Sequence, residues 1–157
     1  MKKRFLTLVL LVSTYGLSAQ NFRLGGGIDV GIPVNNLNGS SVGAGIDLMG
    51  LFELSEPLGI SVDVGYTSLF AKGNNDNLNL VPIRAGIRFN ATPEIYLGGK
   101  AGVGLLFNDG NDVTTTAYSF GAGYKMDSKL DIGLSYDGFS KNGSFGLLNL
   151  RLGYFFH

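Results

Sequence analysis

The chain has 157 residues, of which 25 are Gly, one is His and none is Cys or Trp, a length suited to one domain. Lys plus Arg and Asp plus Glu number 12 each, so the basic surplus that nucleic-acid binding leaves in a sequence is missing. Without cysteine there is no disulfide, thiolate metal site or thiol nucleophile, and Gly is roughly twice as frequent as the ~7% of ordinary proteins.

Residues 1–19 differ in kind from the rest. Lys2, Lys3 and Arg4 precede the apolar run Phe5 to Val12, and Leu17-Ser18-Ala19 puts small residues ahead of Gln20. That order predicts a cleaved secretory signal peptide over 1–19 and a mature domain over 20–157. The apolar run is shorter than the ~20 residues of a transmembrane helix. No Cys follows it, so no lipoprotein anchor is expected.

The mature chain alternates apolar and polar residues with period two, as half-buried strands do. Phe22, Leu24, Ile28, Val30 and Ile32 oppose Arg23, Asp29 and three glycines. Val42, Ala44, Ile46, Leu48, Phe52 and Leu54 oppose Gly43, Gly45, Asp47 and Glu53. Ile60, Val62, Val64 and Tyr66 face away from Ser61, Asp63 and Gly65, and Ile83, Ala85, Ile87 and Phe89 from Arg84, Gly86 and Arg88. Over 95–107, Ile95, Leu97, Ala101, Val103, Leu105 and Phe107 oppose Tyr96, Gly98, Lys100, Gly102 and Gly104. Tyr118, Phe120, Ala122 and Tyr124 oppose Ser119, Gly121, Gly123 and Lys125; Leu130, Ile132, Leu134 and Tyr136 oppose Asp131, Gly133, Ser135 and Asp137. Last come Leu148, Leu150, Leu152, Tyr154 and Phe156 against Asn149, Arg151, Gly153 and Phe155.

The links alternate too. Residues 55–58, 91–94 and 127–129 are tight turns built on Pro, Asp and Ser, whereas 35–41, 72–77, 108–116 and 140–144 are longer and polar. Eight strands with short turns at one end and longer links at the other predict an all-β fold, an eight-stranded antiparallel up-and-down transmembrane β-barrel.

Which face is crowded decides between membrane and water. One face is bulky throughout, and the other mixes glycine with charge. Eight strands enclose an interior only just wide enough for side chains. Glycine there leaves room, whereas on a solvent face it weakens strands for no gain. The polar face supplies Arg23, Arg84, Arg88, Lys100, Lys125 and Arg151 against Asp29, Asp47, Glu53, Asp63, Asp131 and Asp137. A closed polar lumen requires such balance, because an unpaired buried charge is costly. Arg84 and Arg88, two inward positions apart, are expected to share carboxylates on neighbouring strands. On the bulky face Phe22, Phe52, Phe89, Tyr124, Tyr154 and Phe156 fall at one set of strand ends. Phe70, Phe107, Tyr118 and Tyr136 fall toward the other, as interfacial girdles do.

The leader, the eight strands and the ending Leu150-Arg151-Leu152-Gly153-Tyr154-Phe155-Phe156 resemble the small OmpA/OmpX-type outer-membrane barrels. The resemblance covers the mature chain by pattern. It implies a barrel alone, with no peptidoglycan-binding domain. It further implies an outer-membrane location among lipid and lipopolysaccharide, insertion by the barrel-assembly machinery, and a monomer. Such barrels usually finish on an aromatic residue, whereas here His157 follows Phe156.

Chemistry is sparse. Some barrels of this size are enzymes acting through Ser and His. His157 has no nucleophile or orienting carboxylate beside it and reads as a frayed end. Asn108-Asp109-Gly110-Asn111-Asp112 lacks the spacing of a calcium loop and reads as a turn. Gly25-Gly26-Gly27 and Gly98-Gly99 precede no helix, so no nucleotide site is expected. The sequence therefore predicts a non-enzymatic outer-membrane protein without cofactor or metal. It would present short loops or stabilise the envelope, its lumen largely filled by salt bridges. A small pore or transporter and a soluble lipocalin-like binder in the periplasm are the alternatives.

Overall fold

The computed structural model describes residues 22–35, 40–71, 77–108, 111–141 and 143–156. The expected leader over 1–19 and the terminal His157 lie outside the described residues. The strands are β1 (Phe22–Asn35), β2 (Ser40–Glu53), β3 (Leu58–Ala71), β4 (Leu78–Asn90), β5 (Ile95–Asn108), β6 (Asn111–Lys125), β7 (Leu130–Ser140) and β8 (Ser144–Phe155). Each pairs antiparallel with its neighbours in sequence, and β8 closes on β1. The chain is thus the closed eight-stranded barrel that its alternation predicts.

The bulky face points outward. Ile28 and Ile46 are 61% and 62% exposed, and Val, Ile, Leu and Phe side chains ring the wall in a continuous belt. Soluble monomers rarely expose apolar patches beyond a few hundred Å². The strands run 11–15 residues, enough for the ~9–11 residues with which a tilted strand crosses hydrocarbon.

At one end, the turn end, backbone bonds close the hairpins: Leu54 N–H donates to Leu58 O (2.9 Å), Ala91 N–H to Ile95 O (2.9 Å) and Met126 N–H to Leu130 O (2.9 Å). Thr92 and Asp127 supply side-chain oxygens to these turns. The opposite end carries the longer links, with one difference from expectation. Residues 111–116, read above as part of a loop, belong to β6 and pair with β5. Val113 and the three threonines after it favour a strand, and the pairing continues out to Asn108↔Asn111. Pairing of β6 with β7 starts only at Thr116↔Ser140, so β6 stands taller than its neighbour. The β3–β4 ladder is interrupted between Val64↔Ile83 and Thr67↔Leu80. Pro82 lies in that gap and has no N–H to donate.

Candidate functional site: the barrel lumen

The alternation that turns the bulky face to the outside turns the charged one to the inside. Arg23, Asp29, Asp47, Glu53, Asp63, Arg84, Arg88, Lys100, Lys125, Asp131, Asp137 and Arg151 all occupy inward positions of their strands. Most of them form two quartets, each with two cations and two carboxylates.

In the first quartet, Arg84 donates from Nη2 and Nε to Asp63 (2.8 and 3.1 Å) and from Nη1 to Asp137 (2.8 Å). Lys100 completes it, its Nζ 3.0 Å from Asp63. Ser119 (2.6 Å), Ser135 (3.1 Å) and the Asn149 amide (2.8 Å) also donate to Asp137. In the second, Arg151 grips Asp47 through Nε (2.7 Å) and Nη2 (2.8 Å) and reaches Asp131 through Nη1 (3.1 Å). Arg88 bonds Asp131 (3.3 Å), and its guanidinium lies 3.4 Å from the centre of the Tyr96 ring, whose hydroxyl also donates to Asp131 (3.1 Å). Each quartet is neutral. Charge-assisted, bidentate bonds of this kind are the strong ones, and they offset the desolvation of the buried ions.

Arg84 and Arg88 do not share a carboxylate, contrary to the expectation above. Arg84 spans the lumen to Asp137 on β7, and Arg88 reaches Asp131 farther down the same strand. Arg84 also holds Asp63, its register partner on the neighbouring β3. The interior is narrow enough for an arginine to cross it, however, so its second partner and that of Arg88 are not set by spacing along β4.

Arg23 pairs with Glu53 at 3.5 Å, donates to the Ser128 carbonyl and lies over the Phe155 ring at 4.2 Å. Two side chains remain: among the described residues, those of Asp29 and Lys125 make neither an ion pair nor a hydrogen bond. Lys125 stands at the turn end, and Asp29 stands deeper inside.

Apolar side chains bracket the charges. Toward the link end Leu69, Leu80, Ala117, Phe139 and Leu147 pack into a layer, with Leu78, Leu106 and Phe145 against it. Toward the turn end Met49, Leu51 and Phe155 form a second layer. Between them lies a cavity of about 100 Å³, lined by Asp29, Asp47, Thr67, Arg84, Asn149 and Arg151 among others. That volume holds several waters.

Two glycines make the network possible. A Cβ on Gly27 would lie 2.7 Å from both Arg151 Nε and Nη2, so the guanidinium reaches Asp47 by passing over bare backbone. A Cβ on Gly45 would run into Asp29 Oδ2 and stand 2.6 Å from Thr67 Oγ1.

The inward apolar residues were missed from sequence, apart from Phe155, which already stood on the polar face. Leu80-Val81 and Leu147-Leu148 are apolar on both faces, which erases the period-two signal. The aromatic residues Phe22, Phe52, Phe70, Phe89, Phe107, Tyr118, Tyr124, Tyr136, Tyr154 and Phe156 all stand on outward positions. Phe22 packs at a tilt against Phe52, ring centres 4.6 Å apart, and Tyr118, Phe120 and Tyr136 form a cluster across β6 and β7.

A family model described as an outer membrane protein beta-barrel domain matches residues 5–156. Among solved structures, the chain is similar to the attachment invasion locus protein Ail of Yersinia pestis in complex with the heparin analogue sucrose octasulfate. The TM-score is 0.65 at 18% identity, covering 86% of this chain and 97% of that one. Neisserial surface protein A is similar at TM-score 0.59 and 17% identity, over 85% of this chain and 96% of that one. The outer membrane enzyme PagL is similar at TM-score 0.58 and 16% identity, over 83% and 98%. At these identities the likeness is one of fold. No curated protein sequence matches the chain.

Proposed function

Given that the chain belongs to the outer membrane protein β-barrel family, we propose that it is a non-enzymatic integral outer-membrane protein with a closed lumen. It would stabilise the envelope or present its short links to the outside. The leader over 1–19 would direct export and be removed. The barrel-assembly machinery would insert the barrel as a monomer, with the turn end in the periplasm.

The observation that carries this reading is the layered lumen: an apolar layer, two neutral quartets and a second apolar layer, stacked along the axis. An ion passing through would have to cross both apolar layers. It would also have to compete with ion pairs whose partners are 2.7–3.3 Å apart.

Catalysis finds little support. PagL shares the fold, but the one histidine of this chain is His157. Ser119, the buried serine beside a carboxylate, donates to Asp137 at 2.6 Å with no imidazole between them. Polyanion binding like that of the Ail complex is not supported either. The links at the outer end carry Lys72 and Lys141 against Asp76, Asp109 and Asp112, a slightly acidic set.

Planar-bilayer recording tests the reading. The folded barrel should give no discrete current steps, and the double substitution Phe139→Ala with Leu147→Ala should raise leakage without lowering the amount inserted. Steady wild-type channels would replace the closed barrel by the small-pore alternative.

A further inference from the structure

The two quartets leave one carboxylate over. Four cations, Arg84, Arg88, Lys100 and Arg151, are matched by Asp47, Asp63, Asp131 and Asp137. Asp29 is a fifth acid in the same compartment. Its partner across the β1–β8 ladder is Arg151, whose guanidinium is committed to Asp47 and Asp131. The other donors nearby are committed as well: Asn149 Nδ2 and Ser119 to Asp137, and Lys100 to Asp63.

Thr67 supplies an independent observation. It is 6% exposed and lines the cavity, and its hydroxyl makes no hydrogen bond among the described residues. Its Oγ1 and the Asp29 carboxylate converge over Gly45, in space that any larger residue would fill. A half-buried carboxylate with no partner is costly, and two oxygens beside a polar cavity are what a small hard cation takes as ligands. One carboxylate and one hydroxyl suit a single positive charge. Calcium draws on several carboxylates and carbonyls, and no group of three acidic or histidine side chains is arranged for a metal among the described residues.

We propose that the lumen holds one small monovalent cation, partly hydrated, between Asp29 and Thr67 above Gly45. The cavity of about 100 Å³ accommodates the ion and a few waters. The ion is enclosed as the barrel folds, so no open route through the apolar layers is required, and the site is independent of whether the lumen conducts.

The test is barrel refolded in detergent in sodium chloride or in choline chloride at equal ionic strength, choline being too large for the cavity. The temperature at which the folded band is lost from an SDS gel is then read. The wild type should melt higher in sodium, with the shift saturating as sodium rises. The shift should vanish in Asp29→Asn and shrink in Thr67→Val, which keeps the charge but removes a ligand. Crystals grown in rubidium should show an anomalous peak between the two side chains, a readout that stands even where Asp29→Asn fails to fold. Equal melting of the wild type in both salts, or no rubidium peak, would overturn the proposal and leave a proton as the neutralising species. A sodium shift that survives Asp29→Asn would overturn it too, by placing the ion elsewhere.

Discussion

Arg84 and Asp137 stand on β4 and β7, strands that share no hydrogen bonds, and meet at 2.8 Å across the lumen. The contact ties opposite walls of the barrel together. Both residues are under a tenth exposed, so removing one leaves the other charged and buried. Arg84→Ala or Asp137→Ala should cost about 3–5 kcal/mol. The double substitution should cost clearly less than the sum, because neither charge is then stranded. Urea unfolding in lipid vesicles, followed by the folded gel band, gives all three values. Strict additivity would mean that the pair does not couple the walls.

The glycine beneath Arg151 makes a sharper prediction. Gly27→Ala adds a single methyl group where the guanidinium passes, and Arg151 must swing away from Asp47. Overpacking of this kind costs about 1–3 kcal/mol, to which the lost bidentate pair adds. Gly26→Ala, one residue away on the outward side, should cost much less, since its nearest neighbour would lie at 3.2 Å. Comparing the two variants in one unfolding series separates lumen crowding from strand propensity.

The outward belt predicts a cost that depends on depth in the bilayer. Ile46 is 62% exposed and lies mid-strand in β2. Arginine there should destabilise the inserted barrel by about 2–4 kcal/mol, the value for a cation at the bilayer midplane. Arginine in place of Leu54, in the turn, should cost close to nothing. Equal small effects at both positions would put the belt in water and restore the soluble-barrel alternative.

One carboxylate in the turns supplies a pH dependence. Asp127 accepts hydrogen bonds from the N–H groups of Lys129 (2.6 Å) and Leu130 (2.7 Å). These bonds hold its carboxyl below the usual carboxylate range. Because the folded value lies below the unfolded one, its contribution is complete above the unfolded value of about 3.9. It is lost as pH falls through the lowered folded value. Asp127→Asn should therefore flatten the acid limb of stability and leave neutral pH less affected. Folded fraction measured between pH 2 and 6 checks it; an unchanged acid limb would remove Asp127 from the account.

Alternation made the wall legible: in every strand the outward residues read from sequence are the outward residues of the barrel. Three things were not legible. The pairing of Arg84 with Asp137 and of Arg88 with Asp131 depends on crossing the lumen, a distance in space that no spacing along a strand encodes. Leu69, Leu80 and Leu147 sit near strand ends where both faces are apolar, so nothing in the pattern separates lumen from lipid. The outer part of β6 reads as a loop because Asn108 to Asn111 carry turn chemistry, a signal that masks the β-branched run from Val113 to Thr116.

The height of β6 also fixes where the bilayer can reach. From Asn111 to Thr115 the strand has a neighbour on its β5 side only, among the described residues. Hydrocarbon offers no partner to a bare strand edge, whereas water does. Acyl chains on the β6–β7 flank must therefore end below Thr116, about where the Tyr118 and Tyr136 rings begin, while across the barrel Phe70 sits almost at the top of β3. The waterline around this protein is stepped rather than level, and the lipids nearest β6 and β7 are held to a thinner leaflet than those on the opposite side.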